Sequence, residues 1–429
     1  MLRLLQARGR FGIRLGLSRT RALLRELGDP HRRLRGVLIG GTNGKGSVQA
    51  LVGAALLGAG RRVGQTPKPH LASYRERLMV DGQPIGVEDF CSLIERVSMA
   101  AAPVERRHGA LTEFELLTAA AFSWFAECRV EVGVVEVGMG GRLDATNVWQ
   151  GGVTAITNVG LDHTEHLGPT TVAIAREKAQ IIKRGDHAAL TGAAGEALAV
   201  IRRRARAVGV PLDVVEPLVV LGMDLEGVIL APPSGVPLRV GLLGRHQAAN
   251  AALALAILDR LAAAGIARAD EATVRKAFAA ARWPGRLELV RPPAGGPVLF
   301  DGAHNADGMH ALAEALDELL PLLGGGAPTV VIGVLADKDL RAMLAGMCAA
   351  RSLDGARFIA TRVPDSPRAR PAAELAAEIA VRWPARPAAI DDPAAALEQA
   401  RQSAGPVIVC GSLYLVGHLR QQLLSEVED

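Results

Sequence analysis

The chain has 429 residues, 49% hydrophobic and 22% charged, which is enough for more than one buried core and excludes extensive disorder. Aromatic residues make up only 3% (8 Phe, 4 Trp, 2 Tyr), which counts against a nucleic-acid reader built on base stacking. The net charge of +5 suits an acidic small molecule better than a polyanion, and no apolar run reaches the ~20 residues needed to span a bilayer.

Small-molecule substrates are therefore expected, with neither nucleic acid nor membrane as a partner. Cys91, Cys128, Cys348 and Cys410 lie far apart with no CxxC spacing, and read as reduced core residues of a cytoplasmic protein.

In chain order, the ten arginines of residues 1–35 are opposed only by Glu26 and Asp29, a bias shared with organelle transit peptides. The same segment carries Ile13, Leu17, Leu24 and Leu27 at helical spacing, ending at Gly28-Asp29-Pro30. An amphipathic helix leading into the first strand is the simpler reading. From residue 36, short β-rich runs alternate with longer helical ones, the rhythm of a parallel sheet covered by helices. Strands are expected at 36–39, 132–137, 153–159 and 187–191, with helices at 47–59, 87–101, 112–127, 170–183 and 195–208. Residues 213–243 alternate Val and Leu with Gly and Pro turns, a small β-rich subregion; helices at 247–264 and 270–281 follow. The Pro- and Gly-punctuated stretch 283–297 reads as a linker. Beyond it, strands are expected at 298–301, 329–334, 356–361, 386–390 and 406–410, with helices between. The fold class is α/β: a P-loop-type nucleotide-binding domain with a mostly parallel sheet over 1–289, and a smaller Rossmann-like α/β domain over 290–429.

Gly40-Gly41-Thr42-Asn43-Gly44-Lys45-Gly46-Ser47 lies between a predicted strand and a predicted helix. In that context backbone N–H groups converge on phosphates at a helix N-terminus. Thr42, Asn43, Gly44 and Gly46 would line the cradle, Lys45 would neutralise phosphate charge, and the Ser47 hydroxyl could ligate Mg²⁺. The run departs from GxxxxGK[ST]: it is shorter, and Gly46 separates Lys45 from Ser47. Glu136 ends an otherwise apolar run, where a carboxylate needs a partner and a cation is a natural one; Glu131 begins the same run and is read as exposed. The segment 158–166 gathers polar groups at another strand end. His163-x-x-His166 has zinc-like spacing, but no further ligand pattern accompanies it.

These motifs match a family. Gly41–Ser47, the run Glu136-Val137-Gly138-Met139-Gly140-Gly141-Arg142-Leu143-Asp144-Ala145-Thr146-Asn147, and Asn158-Val159-Gly160-Leu161-Asp162-His163 resemble the Mur ligase superfamily, and within it the folylpolyglutamate synthase/dihydrofolate synthase branch. Further matches, in order from about residue 12 to 418, include Thr112-x-Phe114-Glu115, Arg176-Glu177-Lys178, Gly244-x-His246-Gln247-x-x-Asn250, Trp283-Pro284-Gly285-Arg286, Asp301-Gly302-Ala303-His304-Asn305 and Gly411-Ser412. Gly46 after Lys45 favours the folate branch, because peptidoglycan ligases usually carry a second Thr or Ser there.

The resemblance implies an ATP-dependent amide ligase, and because the motifs of both domains lie in one chain a monomer is expected. A carboxylate of dihydropteroate or of a reduced folate would attack the γ-phosphate of ATP to give an acyl phosphate. The amino group of L-glutamate would then displace phosphate. Ser47, Glu136 and His163 would hold Mg²⁺ with the ATP phosphates. Lys178, by its sequence alone one charge on an amphipathic helix, would be carbamylated by CO₂ and become a carboxylate-like metal ligand. Lys45, Lys178 and His163 form the implied catalytic set. Asn250, Arg286, Asp301 and His304 would contact the nucleotide from both sides of the linker, although Asn250 could equally cap a helix start. His70, Arg77, Arg368 and Ser412 are the substrate-binding expectations, Arg368 and Ser412 by position only. In the substrate loop the family usually reads Thr-Ser-Pro-His-Leu, whereas this chain has Thr66-Pro67-Lys68-Pro69-His70-Leu71. That departure keeps two alternatives open: the same chemistry on a different acid acceptor, or a nucleotide-binding regulatory module without turnover.

Overall fold

The computed structural model describes Leu5 and residues 16–293, 295–383 and 387–428. Ile13 and much of the arginine-rich stretch lie outside the described residues, as does residue 386 at the start of an expected strand. Within them the N-terminal helix is α1 (Ser18–Glu26), whose Leu23 and Leu24 are fully buried. The chain divides into two compact units: residues 1–217 with 249–278, and residues 218–248 with 279–429. The linear division at 289/290 puts 218–248 and 279–289 with the first domain. Packing puts them with the second unit, because the small β-rich subregion builds its contacts there.

The first unit is built on an eight-stranded sheet in the order β4-β3-β2-β5-β1-β6-β7-β8. Its strands are β1 (Arg35–Gly40), β2 (Val63–Thr66), β3 (Met79–Val80), β4 (Gln83–Pro84), β5 (Val132–Glu136), β6 (Gly152–Ile156), β7 (Ala188–Thr191) and β8 (Leu212–Val214). β2, β5, β1, β6, β7 and β8 run parallel, and β3 and β4 close one edge antiparallel. Both faces of the parallel strands are covered, so β5 and β6 are buried throughout and read as continuous apolar runs. The covering helices are α2 (Lys45–Gly58), α3 (Val87–His108), α4 (Glu113–Glu127), the single turn α5 (Thr164–Leu167), α6 (Thr171–Ala179) and α7 (Gly195–Val208). One core joins Leu24 of α1, Phe122 and Phe125 of α4, Val135, Trp149, Ile156 and Ile201. The sequence expectation lacks β2, β3, β4 and β8, which have only two to four residues each, too few for a period to register.

The second unit carries a three-stranded antiparallel sheet, β9 (Val219–Asp224), β10 (Gly227–Ala231) and β11 (Leu238–Val240), in the order β11-β10-β9. Two helices, α8 (Gln247–Ala263) and α9 (Glu271–Ala280), carry most of the segment that returns to the first unit. A six-stranded sheet follows, β12-β13-β17-β14-β15-β16. Its strands are β12 (Glu288–Val290), β13 (Val298–Phe300), β14 (Thr329–Ile332), β15 (Arg357–Ala360), β16 (Ala388–Ala389) and β17 (Val407–Cys410), separated by α10 (Ala306–Leu323), α11 (Leu340–Met347), α12 (Ala372–Ala380) and α13 (Pro393–Arg401). Only β12 is antiparallel. A terminal helix, α14 (Leu413–Glu428), completes the unit. Its core joins Leu299, Leu312, Leu316, Ile332, Met343, Phe358 and Ile408.

No described helix is long and apolar enough to cross a membrane. The cysteine expectation needs correction: all four are free, but only Cys410 is buried, Cys91 and Cys128 are half-buried, and Cys348 is exposed.

Candidate active site

In a parallel sheet every strand ends on the same edge, and loops leaving adjacent strands meet there. In the first unit β1 lies between β5 and β6, with Ile39 in register with Glu136 and Gly40 with Ile156. This register gathers residues 40–47, 136–147 and 157–166.

The first of these loops is held open by glycine. Gly41 and Gly44 have φ of 139° and 84°; a Cβ at Gly41 would stand 1.8 Å from Thr157 Oγ1, and one at Gly44 2.2 Å from Asn250 Oδ1. Only glycine fits either position. α2 starts at Lys45 with Gly44 before it and no side-chain cap, so no side chain caps its N-terminal turn. Neighbouring loops fix the segment. Asn158 Oδ1 accepts from the Asn43 N–H (2.9 Å), Thr157 Oγ1 donates to the Asn43 carbonyl (2.6 Å), and Thr42 Oγ1 exchanges hydrogen bonds with the Gly160 backbone. Lys45 Nζ donates to the carbonyls of Gly41 (3.2 Å) and Thr42 (2.9 Å). Ser47, in the first turn of α2, is buried.

Glu136 is buried at the end of β5 and donates its N–H to Thr66 Oγ1. Lys68 grips it twice: its N–H reaches Glu136 Oε2 (3.1 Å) and its Nζ the Glu136 carbonyl (2.5 Å). Burial brings the Lys68 ammonium down to about 8, against the opposing pull of Asp144 and Glu136.

Lys178 projects from α6 and donates from Nζ to the Gly41 carbonyl at 2.7 Å. Burial, with Lys45 adding to it and Asp162 and Asp144 opposing, lowers its pKa to about 7. The helix is tied to the middle loop, because the Arg142 N–H donates to the Glu177 carbonyl and Arg142 pairs with Glu177 at 3.0 Å. Glu177 is thus an ion-pair partner of Arg142. His163 sits at φ 52° before α5, with Nε2 3.8 Å from Asp162 Oδ2 and a part-exposed ring. Among the described residues no three His, Cys, Asp or Glu side chains converge as a metal-binding group, and the His163/His166 pair gains no third such ligand. Asn250 does not cap a helix start; it lies inside α8, buried, with its Oδ1 against Gly44.

A second cluster follows β2. Arg77 Nε donates to His70 Nδ1 (2.9 Å), Arg77 pairs with Glu113 (3.6 Å), and Tyr74 donates to Glu113 (3.0 Å) while its ring packs on His70. Burial and Arg77 push His70 down to about 3, so it is neutral at ordinary pH. The Thr112–Glu115 motif is structural: a capping box starts α4, and the buried Glu115 carboxylate pairs with Arg19 at 3.0 Å.

In the second unit, Asp301 spends its carboxylate on the backbone, accepting from Leu287 N–H (2.9 Å) and Ala303 N–H (2.8 Å). A Cβ at Gly302 would meet Arg286 Nη1 at 2.6 Å, so the guanidinium lies against this loop. His304 Nδ1 is 2.8 Å from the Gly302 carbonyl, which fixes the proton on Nδ1 in the neutral ring. Ser412 is buried before α14 and accepts from the Tyr414 N–H (3.3 Å). Arg368 is exposed and paired with Asp337 at 3.3 Å.

Residues 285–413 match the model of the Mur ligase glutamate ligase domain. The whole chain is similar to the dihydrofolate synthase/folylpolyglutamate synthase of Bacillus subtilis: 34% identity, covering 98% of this chain and 97% of that one. The chain belongs to the folylpolyglutamate synthase/dihydrofolate synthase family. Among solved structures it is similar to Mycobacterium tuberculosis folylpolyglutamate synthase complexed with ADP and AMPPCP (TM-score 0.88, 33% identity, 98% and 97% coverage). It is also similar to a bifunctional folylpolyglutamate synthase/dihydrofolate synthase with Mn, AMPPNP and L-glutamate bound (TM-score 0.81, 28% identity, 99% and 97%).

The folylpolyglutamate synthase motif around Gly138 contains one organiser that the sequence reading does not single out. Asp144 accepts from Gly138 N–H (3.0 Å), Met139 N–H (2.9 Å), Thr146 N–H (3.0 Å) and Thr146 Oγ1 (2.5 Å). An Asp two residues before a Thr is the available signal, as in an Asx turn. Thr157, which ties Asn43 to β6, has none.

Proposed function

We propose that this chain is an ATP-dependent ligase that joins L-glutamate to a pterin-linked acid, with dihydropteroate and reduced folate as the acceptors. The observation that carries the reading is the convergence of Lys45 and Lys178 on one uncapped, glycine-rich helix start, with Glu136 at the end of the adjacent strand, in a family whose members are dihydrofolate and folylpolyglutamate synthases.

A carboxylate is a poor acyl donor, and its attack on a phosphate brings two anions together, so fixed positive charge is required at the point of contact. The P-loop-type segment Thr42–Ser47 supplies backbone N–H groups and the helix dipole for the phosphates, and Lys45 supplies a cation. The acceptor carboxylate forms a bond to the γ-phosphorus as ADP leaves. The glutamate amine then attacks the acyl phosphate, forming the amide and releasing phosphate. A divalent cation, when bound, neutralises phosphate charge. Ser47 and Glu136 offer the oxygen atoms such an ion prefers, and His163 and a carbamylated Lys178 complete the set. The lowered proton affinity of Lys178 supports carbamylation, because only a neutral amine adds to CO₂.

On the acceptor side, His70 and Arg77 bind the acid. In the first unit Asn250 contributes to the nucleotide; in the second, Asp301 holds the loop that carries His304, with Arg286 against it. Ser412 and Arg368 serve glutamate in the 290–429 region. The enzyme acts in the cytoplasm as a monomer.

Phosphate release by the purified protein with MgATP and L-glutamate tests the reading. Release with dihydropteroate establishes the synthase step, and release with tetrahydrofolate as well makes the enzyme bifunctional. Tetrahydrofolate alone marks a polyglutamate synthase. Silence with both, while ATP binds, transfers the architecture to another acid or to a regulatory module.

A further inference from the structure

Among the described residues, Lys68 is the one ammonium placed against the proposed reaction centre that has no task in the ligation proposed above. It stands in the segment after β2 where the chain departs from the Thr-Ser-Pro-His-Leu pattern. An ammonium carries three N–H donors. Among the described residues, the only hydrogen-bond acceptor of Lys68 Nζ is the Glu136 carbonyl at 2.5 Å, and the Phe114 ring lies 4.8 Å from Nζ to centroid. Two donors of a partly buried cation are thus left for a ligand. Leaving charged donors unmatched in a partly buried place is costly, and a surface lysine would turn them to water instead.

The position narrows the ligand. Lys68 lies within electrostatic range of Lys45 and of Arg77, the first assigned to the phosphates and the second to the acceptor. The backbone of Lys68 is held by Glu136 Oε2, so the side chain starts from a fixed point rather than a free loop. The group that must come between a phosphate-binding lysine and an acceptor-binding arginine is the acid being activated.

We infer that Lys68 is a specificity-determining residue that binds the carboxylate of the acid acceptor beside Glu136 through its two remaining N–H donors. The inference rests on the ligase reading of this site. Lys68 therefore favours acceptors whose reacting group is an anion, and the Phe114 face beneath it excludes water from the pair. An ion pair of this kind strengthens as solvent is removed.

The test is a cycle of two variants against two ligands, read as equilibrium binding without ATP. Wild type and Lys68→Met are titrated with dihydropteroate and with its neutral carboxamide, with ATP affinity and thermal unfolding measured for each protein. Lys68→Met is expected to weaken dihydropteroate at least tenfold, and the carboxamide by less than twofold, with ATP affinity unchanged. In turnover the loss falls on the acceptor KM rather than on that of ATP. Lys68→Arg, which keeps the charge, should recover part of the preference. Equal losses for acid and amide, or none for either, overturn the inference while leaving the ligase reading intact. If Lys68→Met does not fold, the wild-type ratio decides: equal affinity for acid and amide overturns the role of Lys68, and a preference of tenfold or more that Lys68→Gln abolishes supports it. A wild type that neither binds dihydropteroate nor releases phosphate with it overturns the ligase reading on this acceptor and the inference with it.

Discussion

The corner after β1 and the corner after β13 both run from a buried parallel strand through a short polar loop into a helix, but they treat the first N–H groups of that helix in opposite ways. At Gly40–Ser47 the helix starts with no side-chain cap, while the ammonium groups of Lys45 and Lys178 occupy the carbonyls of Gly41 and Thr42. The carbonyl acceptors are satisfied by side chains, and no side chain caps the helix start. At Asp301–Asn305 the carboxylate of Asp301 takes the Leu287 and Ala303 N–H groups, and Asn305 caps α10 through the Gly308 N–H at 2.8 Å. That corner closes on itself. Two loops that each carry Gly and Asn thus give an uncapped helix start in one unit and a capped one in the other. The difference lies in where the polar side chains are spent.

Removing the cradle's charge gives the largest effect. Lys45→Ala should lower amino-acid-dependent phosphate release by roughly a hundredfold or more, and unchanged turnover would remove the loop from the phosphate site. Next is Lys178→Ala, which should lose most activity and regain part of it with acetate. In the wild type, ¹³C-labelled bicarbonate should give a carbamate carbon resonance that the variant lacks. Because the Lys178 pKa is lowered to about 7, the amine is mostly neutral above that pH and charged below it, so the resonance should fade as pH drops through 7. A pH-independent signal would refute the assignment. Gly44→Ala tests shape rather than charge: its Cβ would meet Asn250 Oδ1 at 2.2 Å with φ at 84°, and ATP affinity should fall by about tenfold. The smallest effect belongs to the closed corner. Asn305→Ala should cost about 1 kcal/mol of stability, seen as a lower Tm, with ATP affinity unmoved. If it weakened ATP binding as much as Gly44→Ala, the contrast between the corners would fail.

Much of the site was legible because its signals are local. A strand, a glycine run and an apolar helix in succession specify a loop that needs positive φ, and the positions of Gly41 and Gly44 bear this out. Glu136 was legible because a carboxylate closing an apolar strand must be compensated. Other residues gave no such sign. The Asn250 side chain against Gly44 depends on packing between segments some 200 positions apart. Asp301 reads as a nucleotide contact in the sequence, yet its oxygens serve two backbone donors. The short edge strands β3 and β4 are held by pairing to β2 rather than by their own periodicity.

By itself the sequence determined the alternation of strands and helices, the glycine-rich corner and the chemical types gathered around it, since propensity, period and turn chemistry act over a few residues. The tertiary structure decided the rest. The order β2-β5-β1-β6 set Lys68, Glu136, Lys45 and the 157–166 loop at one sheet edge, and the packing of α6 brought Lys178 onto the Gly41 carbonyl. Sheet order and helix packing are fixed by burial of whole faces, which no short window of residues contains. The charges of this site therefore meet only once the core has formed.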